Sequence, residues 1–271
     1  MTLFDTHSHI QEESFRDDFE QVLRRAEAAG VVGITVCGYD APSNLDAFRL
    51  SEDRPLLSPA VGFHPHDAKD VSASMLRELE AQAMLEQVVA VGEIGLDFYR
   101  DHSPQDVQRR VLDAQLEIAV RAGKPVSVHS RGAEGDLLPH LEEYARHSPL
   151  SRSARPPGVM HCFGGTLEQA QRYVDLGFLI SIACSVTYPK SDETRRIAAE
   201  LPLSVLVLET DSPYLPPQGM RGQRNEPSRV GAAAQAVAQA RGLSPDRVAA
   251  ETTSNAARLF GLPVPAPAVA S

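Results

Sequence analysis

The sequence predicts a (β/α)8 barrel, also called a TIM barrel, with an extra helix at its C-terminal end. Eight short apolar runs, rich in β-branched residues, alternate with longer amphipathic stretches. Strands that alternate with helices form parallel sheets, and eight such units in about 260 residues match the size of this barrel. A doubly wound open sheet is the alternative fold. It is disfavoured because no G-x-G-x-x-G pattern follows the first strand.

The predicted strands are short, and the last of them is apolar almost throughout. Its sequence, LSVLVLE, is typical of a strand that is buried on both faces. The eight strands are predicted at 3–8, 31–37, 57–63, 88–94, 125–129, 158–162, 178–183 and 203–209.

The segments between the strands have helical periodicity, and several have clear ends. In the helix predicted at 104–122, Ser103 is expected to cap the N-terminus and Pro104 to occupy the first turn. Gly123 directly follows the last helical residue, as is typical of a helix C-terminus. The other helices are predicted at 14–29, 42–51, 72–86, 135–146, 166–176, 191–200 and 227–241, with the terminal one at 245–259.

Domain organisation and compartment follow from simple features. We expect one domain over 1–262 and a disordered or polyproline-like tail over 263–271, whose sequence is PVPAPAVAS. Cys37, Cys162 and Cys184 are few and far apart, which is typical of reduced thiols in a reducing compartment. No signal peptide or long apolar run is visible. We therefore expect a cytoplasmic protein with no membrane partner and no obligate protein partner.

The charge balance limits which classes of partner the protein is expected to bind. The chain has 26 Lys and Arg residues against 36 Asp and Glu residues, a formal net charge of -10. Proteins dedicated to binding nucleic acid or anionic membranes are usually basic, so the overall charge disfavours both classes. That inference concerns the whole surface and leaves open a single cleft with a different local charge.

Chemically active side chains recur where the predicted strands end. In a closed parallel barrel these ends converge on one face, which is where catalytic residues lie. Six of the nine histidines are at such positions. The polar residues there are, in chain order, Asp5, His7, His9, His64, His66, Glu93, Asp97, His129, His161, Glu209 and Asp211.

This set of side chains predicts a metal centre. His7 and His9 are two residues apart, so in a strand both point to the same side. An H-x-H pair alone is a weak pattern, but here further histidines and carboxylates share the same rim. Ligation by histidine and carboxylate without thiolate suits Zn²⁺ or Mn²⁺, and more oxygen ligands make Mg²⁺ acceptable. Glu93 has two oxygens and could bridge two ions, which together would stabilise a phosphoryl displacement.

Six motifs make a family resemblance specific. DTHSH, GFHPH, VGEIGLDFY, VHSR, HCFGG and ETDSPYLPP occur in this order. With these motifs the chain resembles the TatD family of metal-dependent deoxyribonucleases, within the amidohydrolase-like barrels. The resemblance runs from about residue 3 to residue 260.

The resemblance implies two divalent ions, Mg²⁺, Mn²⁺ or Zn²⁺. One would be held by His7, His9, Glu93 and Asp211, and the other by Glu93, His129 and His161. A water between the ions would be the nucleophile, Asp211 would accept its proton, and His64 would contact the scissile phosphate or the leaving oxygen. The expected catalytic residues are therefore Asp211, Glu93 and His64.

The implied substrate is DNA, taken as a single strand or at a 3′ end, with 3′ to 5′ exonuclease polarity. Both the nucleic acid and the polarity come only from the resemblance. The chain departs from the family pattern at Gly132, where an acidic residue is usual after the arginine of the VHSR motif. Gly164, in HCFGG, lies where family members often have a serine before the final glycine. The first departure puts any role of that acidic position in doubt, and neither changes a metal ligand.

Cations on the predicted rim suggest a local phosphate-binding surface. They are Arg100, Arg131, Lys190, Arg221 and Arg224, and we take Arg131, Arg221 and Arg224, together with His64, as candidate substrate-binding residues. A helix N-terminus near Pro227 could also donate backbone N–H groups to a phosphate. Aromatic residues are scattered on the same rim, and one or two of them are expected to stack on a terminal base: Phe63, Phe98, Tyr99, Phe163, Tyr188 and Tyr214.

Arg224→Ala is expected to weaken DNA cleavage mainly through substrate binding and to reduce its salt sensitivity. A protein that makes one phosphate contact fewer displaces fewer counterions from the DNA when it binds, so its affinity depends less on salt. The measurement is kcat/KM against salt concentration. An unchanged salt dependence would count against this role.

Several polar residues of the rim also have structural interpretations. Asp5 either orients a ligand histidine or bonds to nearby backbone, Asp97 holds a loop, and Glu209 supports a ligand. His66 either caps the following helix or contacts substrate.

Two other functions remain open from sequence alone. The same metal centre could polarise a carbonyl, as in a hydrolase of amide or ester bonds such as a cyclic-amide hydrolase or an aminoacyl-tRNA deacylase. Relatives that bridge their metals with a carbamylated lysine on strand 4 are disfavoured, because this strand has Glu93 and no lysine. A non-enzymatic metal-dependent scaffold is disfavoured because all the expected ligands are present. The acidic balance predicts weak nonspecific affinity for DNA, hence action at ends or exposed strands.

Overall fold

The computed structural model describes residues 1–100 and 102–263 and has a parallel eight-stranded sheet at its centre. The strands are neighbours in chain order, from β1 to β8, and all the pairings are parallel. Their bounds are β1 Leu3–Ser8, β2 Val31–Cys37, β3 Leu57–Val61, β4 Ala90–Asp97, β5 Val126–Arg131, β6 Gly158–Met160, β7 Leu179–Ala183 and β8 Leu206–Glu209.

The sheet closes into a barrel where its first and last strands meet. Ser8 and Ser212 form a parallel bridge, and the N–H of Asp211 donates to the carbonyl of His7 over 3.0 Å. The hydroxyl of Thr6 donates to the carbonyl of Leu208 over 2.9 Å. This closure confirms the predicted barrel and sets the end of β8 beside the histidine motif of β1.

Helices follow the strands around the outside of the barrel. Their bounds are α1 Phe19–Ala28, α2 Ala41–Ser51, α3 Ala73–Ala83, α4 Gln105–Ala122, α5 Glu134–His147, α6 Leu167–Asp175, α7 Asp192–Glu200, α8 Val230–Arg241 and α9 Pro245–Phe260. α4 ends at Gly123, which adopts a left-handed conformation with φ of 62°. Ser103 does not cap it: its hydroxyl donates to the carbonyl of His66 over 2.6 Å.

Three predicted elements are divided in the structure. The segment 14–29 consists of a short 3-10 turn at Glu13–Phe15 and then α1, because Arg224 donates to the carbonyl of Ser14 and competes with continued helix. The segments 203–209 and 227–241 likewise begin with 3-10 turns, at Leu203–Val205 and Pro227–Arg229. Tertiary contacts and proline thus override the local pattern at these element starts.

The strand ends also differ from prediction where it matters for the site. β4 extends to Asp97 instead of ending at residue 94, and β6 ends at Met160 so that His161 lies just beyond it. The longer β4 needs Gly95, whose φ is 148°, because a Cβ there would lie 2.0 Å from the carbonyl oxygen of His129. The glycine of VGEIGLDFY therefore allows β4 to run closely beside β5.

The extra C-terminal helix, α9, covers the N-terminal end of the barrel. The ring of Phe260 lies 5.8 Å from the ring of Phe4, and Asn255 donates to the carbonyls of Leu203 and Leu206. This closes the end of the barrel opposite the histidine motifs. Of the predicted tail, residues 264–271 lie outside the described residues.

Among the residues that the structure describes, none of the helices is both long enough and apolar enough to cross a bilayer.

Candidate metal centre

The six predicted metal ligands come together at the C-terminal end of the barrel. Each is placed by the end of a different strand, except that His7 and His9 share β1 and the turn after it. They are His7, His9, Glu93, His129, His161 and Asp211, and all but His129 and Asp211 are buried.

Glu93 lies between the histidines, and its two carboxylate oxygens face different ones. Oε2 is 3.3 Å from His7 Nε2 and 3.4 Å from His9 Nε2. Oε1 is 3.0 Å from His129 Nδ1 and 3.6 Å from His161 Nε2. One carboxylate therefore faces two groups of ligands, which is the arrangement that a bridging carboxylate needs.

His64 joins the second of these groups. Its Nε2 is 3.5 Å from Glu93 Oε1, and its ring centre is 4.5 Å from that of His129. The nitrogen therefore lies close enough to the other ligand atoms to serve as a ligand itself or to contact a bound phosphate oxygen.

Asp211 adds a second carboxylate on the side of His9. Its Oδ1 lies 3.6 Å from His9 Nε2 and 4.0 Å from His161 Nε2. Its backbone has φ of 56°, a left-handed conformation that is uncommon outside glycine, asparagine and aspartate. The close contact between Asp211 N–H and His7 described above holds this conformation, so the fold fixes the carboxylate toward the metal ligands.

Hydrogen-bond acceptors contact the ligand histidines on the side away from Glu93. They determine which ring nitrogen of each histidine is available to bind a metal. Nδ1 of His9 lies 2.8 Å from the carbonyl oxygen of Cys37. A carbonyl only accepts, so Nδ1 carries a hydrogen, and Nε2, which faces Glu93, is the nitrogen that would bind a metal. Such outer partners orient metal-binding imidazoles and raise their basicity.

Two buried carboxylates lie on the far side of two further histidines, His161 and His129. Glu209 Oε1 lies 3.0 Å from His161 Nδ1, while Glu209 Oε2 accepts from Ser181 over 2.6 Å. Asp97 Oδ2 lies 3.2 Å from His129 Nε2 and 2.8 Å from His66 Nε2. Asp97 thus contacts a ligand histidine as well as the loop that was expected from sequence.

Asp5 bonds within the closure of the barrel, and among the described residues none of its hydrogen bonds goes to a ligand imidazole. It accepts from the backbone N–H of Thr210 over 2.8 Å and lies 2.5 Å from the Thr210 hydroxyl. It also accepts from the backbone N–H of His7 over 3.4 Å. Of the two interpretations open from sequence, these contacts match backbone bonding.

The electrostatics favour ionised carboxylates. Burial opposes the ionisation of Glu93, but the surrounding imidazoles, first His64 and then His161 and His7, outweigh it and hold its pKa well below the usual value. Burial, followed by the charge of neighbouring His161, lowers the pKa of His7 to about 4. Burial also lowers the pKa of His64 to about 4. Near neutral pH the centre therefore offers ionised Glu93 with neutral His7 and His64. Although burial opposes it, neighbouring carboxylates raise the pKa of His161 to about 10 and also raise the pKa values of His9 and His129. These three imidazoles would release protons when a metal binds.

The donor set fits divalent ions. The nitrogen and oxygen atoms of two separate trios lie within 4.8 Å of one another: His7, His9 and Asp211 in one, and His64, Glu93 and His129 in the other. Imidazole and carboxylate without an obligatory thiolate suit Zn²⁺ and Mn²⁺, and also Mg²⁺ where oxygen ligands predominate.

The centre lies at the base of an open cavity of about 560 Å³. Its wall includes residues that the sequence analysis did not identify. No motif distinguishes a polar loop residue that lines a cavity from one that only faces solvent. These are Glu12, Tyr39, Asp67, Lys69, Asp70 and His102.

Comparison with known proteins identifies the family of the chain. The model of the TatD-related DNase family matches residues 4–261. The chain belongs to the TatD family. The resemblance seen in the six motifs is therefore confirmed, and the TatD-family protein is a metal-dependent hydrolase.

Individual relatives cover nearly the whole chain. The TatD-family protein is 36% identical to the metal-dependent hydrolase YabD of Bacillus subtilis over 95% of this chain and 98% of the relative. It is 34% identical to the 3′-5′ ssDNA/RNA exonuclease TatD of Citrobacter rodentium over 96% and 98%. The crystal structure of YjjV from Escherichia coli superimposes with a TM-score of 0.88 at 37% identity, covering 96% of this chain and 98% of that one.

The rim arginines of the TatD-family protein are engaged with neighbouring side chains. The guanidinium of Arg131 lies 4.2 Å from the ring centre of Tyr99, and that of Arg221 lies 5.1 Å from the ring centre of Tyr188. Neither arginine lines the metal cavity. A role in binding substrate therefore requires a strand that extends across the rim, and it stays a prediction.

Arg224 has a more definite structural role. Its two terminal nitrogens donate to the two carboxylate oxygens of Asp18, each over 2.8 Å, and it too lies outside the cavity lining. Arg25 bonds to Asp18 and also to Glu226, beside the helix N-terminus near Pro227. Arg224→Ala will remove this ion pair, so thermal unfolding must accompany the salt-dependence measurement to separate stability from substrate binding.

Asp97→Asn in the TatD-family protein is expected to weaken metal affinity by about 10- to 100-fold, because it removes the carboxylate that orients His129. The measurement is a metal titration by calorimetry, followed by kcat at saturating metal, which should recover. Asp113→Asn is the matched control, since Asp113 pairs with His140 on the outer helices at 2.5 Å. Equal metal affinity of wild type and Asp97→Asn would contradict this role.

Proposed function

We propose that this protein is a two-metal phosphodiesterase that removes nucleotides from the 3′ end of DNA, preferentially single-stranded. The observation that carries the proposal is the position of Glu93, whose two oxygens face separate groups of ligands below an open cavity. A carboxylate shared between two ions is a recurring feature of centres that act on phosphoryl groups.

The ion chemistry and the protein side chains have separate tasks. Divalent ions held by the six ligands would polarise the phosphate and lower the pKa of an attacking water. Asp211 would accept the proton of that water, because its carboxylate lines the cavity beside His9 while Glu93 lies between the two ligand groups. His64 lines the cavity next to Glu93 and would donate a hydrogen bond to a phosphate oxygen or to the leaving oxygen.

The choice of DNA rests on relatives and on charge. Relatives at 33–35% identity are named 3′-5′ ssDNA/RNA exonucleases, which supports nucleic acid and this polarity. The net charge of -10 disfavours coating of a duplex, so binding should depend on the metal cavity and its rim. An exonuclease acting on exposed ends satisfies both observations.

The test is a comparison of substrates with purified, metal-loaded protein. Single strands labelled at the 5′ or 3′ end, the matching duplex, an RNA strand, an aminoacyl ester of RNA and a cyclic amide are each incubated with Mg²⁺, Mn²⁺ or Zn²⁺. The proposal expects stepwise shortening of the 5′-labelled strand and early release of a labelled mononucleotide from the 3′-labelled one. Hydrolysis of only the ester or the amide would replace it with the alternative function.

A further inference from the structure

We propose that Tyr214 is the stacking platform for the base of the terminal nucleoside and that Glu12 holds its ring in place and excludes a terminal phosphate. The inference rests on the proposed exonuclease function and identifies the part of the substrate that this side of the cavity receives. It makes Tyr214 a specificity-determining residue and Glu12 a positioning residue.

Tyr214 is a large exposed side chain at the right place. It is 52% exposed, and among the exposed large apolar side chains of the described residues it is the one that lines the metal cavity. Its ring centre lies 6.2 Å from the ring centre of His9. An exposed aromatic face beside a metal-bound phosphate site is what a nucleobase next to that phosphate would stack on.

The ring is held by the same backbone that holds the metal ligands. The N–H of Tyr214 donates to the carbonyl of Asp211 over 2.8 Å, and the N–H of Glu12 donates to the carbonyl of His9 over 3.0 Å. The hydroxyl of Tyr214 then donates to Glu12 Oε1 over 2.7 Å. Tyr214 and Glu12 are thus tied to two different ligands and to each other, so the ring has a fixed position relative to the reaction.

Tyr39 lies on the same wall, with its ring centre 5.5 Å from that of His9. It gives the nucleoside a second aromatic neighbour.

Charge decides which kind of strand end fits. Apart from the metal ligands, the described lining includes the carboxylates Glu12, Asp67 and Asp70, and Lys69 is its lone lysine or arginine. A phosphate beyond the scissile one would therefore meet mainly negative charge on this wall. A nucleoside that ends in a free hydroxyl carries no such charge, so the wall selects an unphosphorylated terminus.

The experiment uses three single strands that differ only at the 3′ end: an ordinary nucleoside, an abasic sugar and a nucleoside 3′-phosphate. For the wild-type protein we expect kcat/KM to fall about tenfold for the abasic end, in the range known for one lost base stack, and at least as much for the 3′-phosphate. Tyr214→Leu should have the same kcat/KM for the ordinary and the abasic end. Tyr214→Phe should still have a higher kcat/KM for the end that carries a base.

Two further variants separate the parts of the proposal. Glu12→Gln keeps a hydrogen-bond acceptor but removes the charge, so it should reduce the discrimination against the 3′-phosphate. Phe48→Leu is the matched control, because Phe48 is a partly buried aromatic residue on α2 that does not line the cavity, and its ratio of rates for ordinary and abasic ends should equal that of wild type.

The outcomes are distinguishable from failure of the proposed function. If wild type shortens DNA but Tyr214→Leu keeps the same preference for a base, the platform is overturned while the exonuclease stands. If Glu12→Gln discriminates against the 3′-phosphate as strongly as wild type, the phosphate exclusion is overturned. A wild-type protein that cleaves no DNA overturns both the exonuclease and the subsite.

Discussion

Glu93→Gln is expected to reduce kcat/KM by about 1000-fold or more. Lewis-acid stabilisation by bound ions contributes several kcal/mol to the transition state, and each 1.4 kcal/mol corresponds to a factor of ten in rate. Glutamine keeps only one of the two oxygens and no charge, so the side chain can no longer bridge the groups: one oxygen of Glu93 faces His7 and His9, and the other faces His129. The measurements are kcat/KM and the metal content of the dialysed protein.

The Glu93 prediction has a readout that does not depend on activity. In Mn²⁺-loaded wild type, two ions bridged by a carboxylate should show spin coupling by electron paramagnetic resonance, and Glu93→Gln should lose it. Glu117→Gln is the matched control, since Glu117 is 74% exposed on α4. Retention of both ions and of more than a tenth of the activity in Glu93→Gln would rule out a bridging role.

Asp211→Asn is expected to reduce kcat by about 100- to 10,000-fold, the range for loss of a general acid or base, with a smaller change in KM. Asparagine tolerates the left-handed backbone that Asp211 adopts, so the fold should be retained. The defect should then come from the lost carboxylate rather than from unfolding. The measurements are steady-state kinetics and the midpoint of thermal unfolding.

The metal content of Asp211→Asn separates it from Glu93→Gln. His64, Glu93 and His129 remain, so this group should still bind an ion. Asp192→Asn is the matched control, because Asp192 is 90% exposed on α7 and pairs only locally with Arg195. A kcat close to wild type for Asp211→Asn would show that another group accepts the proton.

Much of the metal centre could be predicted from sequence because strand ends locate it. His7, Glu93 and His129 lie in β1, β4 and β5, and the carboxyl ends of parallel barrel strands share one face. A residue identified at a strand end is therefore assigned to the correct side of the molecule even when the strand bounds are wrong by a few residues. The early end predicted for β4 shows this tolerance, since Glu93 was still placed correctly.

Side-chain partners from distant parts of the chain could not be predicted in the same way. Arg224 was expected to meet phosphate because it lies in a basic loop, but Asp18, 206 residues away, pairs with it across the seam between β8 and β1. The same contact reaches the carbonyl of Ser14 and divides the first predicted helix. Loop contacts of this kind depend on closure of the barrel and leave no local periodicity in the sequence.

Wall residues of the cavity were missed for a related reason. Glu12 looks like one of several acidic residues near the first helix, and only the structure brings its carboxylate to the hydroxyl of Tyr214. Asp97 was expected to hold a loop, and its place at the end of β4 also brings its carboxylate to His129. The residues that hydrogen-bond to the metal ligands are set by the register of the strands. The hydrophobic pattern of the sequence does not define that register to the exact residue.

The most direct test of the account is a time course on a 5′-labelled DNA single strand with Mg²⁺ or Mn²⁺, run beside chelator and beside Glu93→Gln. The account predicts a ladder of products shortened from the 3′ end with metal-loaded wild type, and intact DNA with chelator or with the variant. Intact DNA with every metal, or equal cleavage by Glu93→Gln, would contradict it.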